Sequence, residues 1–142
     1  MQDGKIVILC IDDEQDVLDG LEMMVEGIDD AVFYGALDGA AGVEKFDEVK
    51  ADVVMIDLMM ERIDAGVGAA KKIHRRAPRV PIYMLTSVGE QMAENLNPAE
   101  IGLAGVYQKP LEPEHLMQVV RHRREQMATE PDLSDWDQWT LQ

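Results

Sequence analysis

The chain has 142 residues, 46% of them apolar, and a formal net charge of −15. That length gives one domain able to build a core without disulfide or metal staples, and a single cysteine can form no internal bridge. The charge argues against direct nucleic-acid binding, because a duplex is itself a dense polyanion, and no apolar run approaches the roughly 20 residues that span a bilayer.

The N-terminal "MQDGK" lacks the basic flank and apolar stretch of a signal peptide. A cytoplasmic protein without membrane insertion is expected. The first apolar run, "KIVILCI" (5–11), is nearly continuous rather than alternating, as strands are when both faces of a parallel sheet are covered. Cys10 lies inside it and reads as a small core hydrophobe. Asp12, Asp13 and Glu14 follow at once. Each pair of such charges 4 Å apart repels by roughly 4 kcal/mol at an effective dielectric near 20, so the cluster calls for solvent or a cation.

Residues 14–27 have helical spacing, with Val17, Leu21, Met24, Val25 and Ile28 on one face and acids opposite. A second strand, "AVFYGA" (31–36), leads to a helix over 38–49 that offers Ala41, Val43 and Phe46 for packing. The third strand, "DVVMI" (52–56), ends at Asp57. A helix over 66–77, with Val67, Ala70, Ile73 and His74 inward, stops at Pro78. The fourth strand, "PIYMLT" (81–86), ends in Thr86 and Ser87. The next helix starts near Glu90, and Pro98 kinks or ends it. The fifth strand, "AGVYQK" (104–109), runs into Lys109-Pro110. The last helix, 113–128, buries Leu116, Met117, Val119 and Val120, with Arg121 to Arg124 near its C-terminus, where cations favour the helix dipole.

Strands and helices therefore alternate five times. Right-handed crossovers turn that order into a doubly wound parallel α/β sheet with helices on both faces. Ligands of such sheets bind at the carboxyl ends of the strands. Asp12, Asp13, Asp57, Thr86 and Lys109 all stand at those ends, and the three carboxylates make an oxygen-rich site for a hard cation such as Mg²⁺.

"IDDE", "VVMIDLMM", "YMLTS" and "VYQKP", in this order and each at a strand end, resemble the response-regulator receiver domain of two-component signalling. The resemblance covers about residues 4–125 and leaves 126–142 as an acidic tail holding Trp136 and Trp139. It implies a flavodoxin-like (βα)5 sheet of order 2-1-3-4-5. It further implies that Asp57 is the phosphorylated nucleophile and that Mg²⁺ is held by Asp13, Asp57 and the backbone carbonyl of Met59, with Asp12 acting through water. Lys109 and Thr86 would meet the phosphoryl oxygens, and Thr86 and Tyr107 would form the switch. The donor would be a histidine kinase or a histidine phosphotransfer protein. The output would be contact with a downstream effector protein, from a stand-alone receiver that is a monomer or weak homodimer. Two rivals are a degenerate receiver that only binds and a haloacid-dehalogenase-like phosphatase, although the latter uses Asp-x-Asp rather than adjacent aspartates.

Three departures stand out. Glu61 replaces the usual proline four residues after the nucleophile, and Pro98 interrupts the helix before strand five. Met59 and Val88 are apolar where rapidly hydrolysing receivers carry acids or amides, so a long-lived phosphoryl group is expected. In the tail, Leu133, Trp136 and Trp139 or Thr140 share a face if Ser134 caps a helical turn.

Overall fold

A computed structural model describes residues 1–57, 63–87 and 101–129. Its elements are β1 (Ile6–Ile11), α1 (Gln15–Glu26), β2 (Ala31–Ala36), α2 (Gly39–Val49), β3 (Val53–Asp57), α3 (Ile63–Arg76), β4 (Ile82–Thr86), β5 (Leu103–Gln108) and α4 (Pro113–Thr129). The strands form one sheet of order β2-β1-β3-β4-β5, with every neighbouring pair parallel. This is the flavodoxin-like arrangement. Glu61, Val88, Pro98, Ser134, Trp136 and Trp139 lie outside the described residues.

The continuous apolar runs have the expected cause. Every residue of β1, β3 and β4 is buried, because side chains alternate between two covered faces. Val7, Leu9, Ile11, Val54 and Ile56 pack with Phe46 of α2 and Ile73 of α3. Ile6, Ile8, Cys10, Val53 and Met55 pack with Leu21 of α1 and Val119 of α4. β5 instead alternates half-buried and exposed, as an edge strand does.

Two packing expectations need correction. In α2 the buried positions are Gly42, Val43 and Phe46, whereas Ala41 is exposed. α2 lies so close to β1 that a Cβ on Gly42 would stand 2.3 Å from Ile11 Cδ1, which only glycine avoids. In α4 Met117 is 49% exposed, because Leu116, Val119 and Val120 already fill the inward face. In the same helix Arg123, expected among cations near the C-terminus, is 1% exposed. The helix runs on to Thr129, so position 123 falls on the stripe continued from Leu116 and Val119. The Arg123 Nε donates to the Asp52 carbonyl at 2.8 Å.

Candidate functional site

The site is built where strands stop. β1 ends at Ile11, and the Asp12 backbone N–H still donates to the Ala36 carbonyl of β2, which holds Asp12 in the sheet's plane. Its side chain is fully buried, and one carboxylate oxygen accepts from the Glu14 N–H at 2.9 Å. That bond turns the chain from β1 into α1, so Asp13 and Glu14 face solvent. Asp57 is the last residue of β3 and is 1% exposed. Thr86 closes β4 and is buried, and its carbonyl accepts from the Lys109 N–H at 2.6 Å.

That last bond fixes where the lysine begins. From the far side of β4, Lys109 reaches back over the sheet edge, and its Nζ lies 2.8 Å from Asp12 Oδ2 and 3.1 Å from Asp57 Oδ2. Asp12, Asp13, Glu14 and Asp57 each offer an oxygen, and these oxygens all lie within 4.8 Å of one another. Five of the residues predicted from strand ends are thus brought to one end of the sheet. Glu14 was not among the predicted ligands, although it stands in the same acidic triplet. Met59, the predicted carbonyl ligand, lies outside the described residues.

The electrostatics are unbalanced. Burial pushes the Asp12 carboxyl above the usual carboxylate range; the hydrogen bonds from Lys109 and the Glu14 N–H oppose that rise, and the Asp57 charge adds to it. Burial pulls Lys109 down, but its hydrogen bonds to Asp12 and Asp57 and their charges outweigh this and hold its ammonium above the ordinary lysine value. Cys10, one layer deeper, is raised by burial first and by Asp12 next, which makes it an inert thiol. Four clustered carboxylates, two of them paired with one ammonium, leave net negative charge at a set of hard oxygen donors. That chemistry fits Mg²⁺. A groove of about 400 Å³ opens beside Lys109, with Val17, Leu21 and Met24 of α1 facing Leu85, Pro110 and Leu111.

Tyr107 is half-buried on β5, opposite Leu85. Its ring contacts Tyr83 of β4, with centroids 5.7 Å apart, and His115 of α4, with centroids 5.2 Å apart. Nothing in the sequence pointed to His115, because its partner is eight residues away on another element.

The sequence matches the family model of the response regulator receiver domain over residues 8–121. The chain belongs to that family. It is 33% identical over 117 residues to a probable transcriptional regulator, ycf27, of Guillardia theta, covering 82% of this chain and 44% of that protein. It is 37% identical over 115 residues to the uncharacterized transcriptional regulatory protein YhcZ of Bacillus subtilis, covering 80% and 51%. The chain therefore spans about half the length of these two relatives. The chemotaxis protein CheY of Listeria monocytogenes is 31% identical over 84 residues, 59% of this chain and 70% of that one.

Among solved structures, a receiver domain protein from Clostridium thermocellum superposes with a TM-score of 0.70 at 22% identity, covering 87% of this chain and 99% of that one. Chemotaxis protein CheY4 of Vibrio cholerae gives 0.70 at 20% identity, covering 83% and 98%. These two likenesses establish the fold alone. A receiver domain is a phosphorylation switch rather than a conventional enzyme, and receiver domains pair with histidine kinases. Among the described residues no helix is long and apolar enough to cross a membrane.

Proposed function

We propose that the chain accepts a phosphoryl group on Asp57 in a Mg²⁺-dependent reaction and passes the signal on by contact with another protein. The observation that carries this reading is the Lys109 Nζ, 3.1 Å from Asp57 and 2.8 Å from Asp12, the two buried members of a four-carboxylate cluster. A carboxylate is a modest nucleophile, so the acceleration must come from alignment and charge neutralisation. An Asp57 oxygen attacks the phosphorus of a phosphohistidine or an acyl phosphate. The P–N or P–O bond to the leaving group breaks as the new P–O bond forms, and the imidazole or carboxylate departs with the electron pair. The Lys109 ammonium, a mobile point charge, follows the growing charge on the phosphoryl oxygens.

Asp12, Asp13 and Asp57, together with the Met59 carbonyl, would hold Mg²⁺, and Glu14 is near enough to join them. The bound ion would neutralise the phosphoryl oxygens. Phosphorylation adds about one negative charge or more at Asp57. Thr86, whose strand neighbours that of Asp57, turns its hydroxyl to that charge, and Tyr107 fills the space behind it. The net charge of −15 disfavours nucleic acid as the direct partner, which supports contact with a protein.

The test is mass spectrometry after incubation with Mg²⁺ and acetyl phosphate. One phosphoryl adduct is expected on the wild type and none on Asp57→Asn. An adduct that survives in Asp57→Asn would refute the assignment of the nucleophile.

A further inference from the structure

Tyr107 has two ring neighbours. Tyr83, 5% exposed, is fixed in the core, and β5 carries Gly105 opposite it, where a Cβ would press to 3.3 Å from Tyr83 Cδ1. The missing side chain lets the Tyr83 ring reach diagonally to Tyr107, with planes tilted by 34°. The His115 ring also packs on Tyr107, at 5.2 Å with a tilt of 32°. His115 sits in the first turn of α4, where its N–H donates to the Glu112 carbonyl at 3.0 Å and Leu116 beside it is fully buried. The His115 Nδ1 is buried without a hydrogen-bond partner among the described residues, so ring packing holds this imidazole. Only six positions separate His115 from Lys109, which touches Asp57.

We infer that His115 is a positioning residue of the switch: it clamps Tyr107 against Tyr83, and Tyr107 packs behind Thr86 only by giving up the His115 contact. The inference rests on the reading of Asp57 as acceptor and Tyr107 as switch residue. The clamp belongs to one of two exclusive arrangements and the adduct to the other. Weakening the clamp therefore strengthens binding of a phosphoryl mimic, because coupling between two sites is reciprocal. A ring pair's contribution converts to a change of roughly two- to tenfold.

The chain has three tyrosines, so ring-labelled ¹³C-tyrosine gives three resolvable signals, with Tyr107 assigned by its loss in Tyr107→Phe. The Tyr107 signal should shift in His115→Ala and stay near its place in His115→Phe, which keeps a ring. On titration with beryllofluoride and Mg²⁺, half-saturation should fall about two- to tenfold in His115→Ala and remain near wild type in His115→Phe. His115→Gln keeps a polar side chain without the ring and should match Ala, which secures the result if Ala folds poorly. A residue that merely packs would lower the melting temperature without moving half-saturation. The inference is overturned if the Tyr107 signal moves on adduct formation while half-saturation is equal in all variants. If the wild type forms no adduct, the reading of Asp57 falls and takes the clamp with it.

Discussion

Asp12 is a carboxyl that this fold buries at the end of a strand. It is fully buried, and its carboxyl stays raised by that burial despite the hydrogen bonds from Lys109 and the Glu14 N–H. Asp13 and Glu14 face water, whose high dielectric weakens their repulsion without removing it. A carboxyl raised in the folded state keeps its proton at pH values where the unfolded chain has lost it. Its contribution to stability is therefore fully present below the unfolded value and is lost as pH rises through the folded one. In EDTA the melting temperature of the wild type, taken relative to Asp12→Asn, should rise as pH falls from neutral into the weakly acidic range. A difference that is flat across that window would mean that Asp12 titrates normally in the fold.

Among the elements, α4 shows both what the sequence made legible and what it concealed. The spacing of Leu116, Val119 and Val120 predicted the buried face, and the same spacing leads to position 123. Arginine's usual place at the surface argued the other way. Burial of the aliphatic stem with a hydrogen bond at its head reconciles the two. In α2 the exchange of Ala41 for Gly42 on the inner face depended on how closely α2 approaches Ile11, a distance that no periodicity encodes. The strand ends were legible because parallel strands buried on both faces must turn polar where they leave the sheet. The Tyr83–Tyr107–His115 stack was not, since it joins three elements through the register of β4 on β5. Replacing Arg123 with Met keeps most of the volume but leaves the Asp52 carbonyl without this donor. The expected loss is about 1–3 kcal/mol, read as a lower urea midpoint at unchanged slope. A variant as stable as wild type would show that the hydrogen bond at Asp52 contributes nothing net.

For the molecule as a whole, the proposed metal would link acidity to folding. Residues 1–50 carry 14 acids against three bases, and β1 delivers two of those acids to the end of the sheet where β3 delivers Asp57. Lys109 offsets one charge of the cluster. A divalent ion taken up there binds the folded chain and not the unfolded one, because only the fold gathers these oxygens within 4.8 Å. Such binding stabilises by RT ln(1 + [L]/Kd), about 2.7 kcal/mol at one hundred times Kd. Simple screening by salt would also relieve repulsion, but it acts on all exposed charges and does not need these carboxylates. Calorimetry in millimolar Mg²⁺ and in NaCl of equal ionic strength separates the two. The wild type should melt several degrees higher with Mg²⁺ than with NaCl, and Asp13→Asn, which removes an exposed oxygen from the cluster, should lose most of that difference. If NaCl raises the melting temperature as far as Mg²⁺ does, the acidic end of the sheet is a screened surface and the metal has no site there.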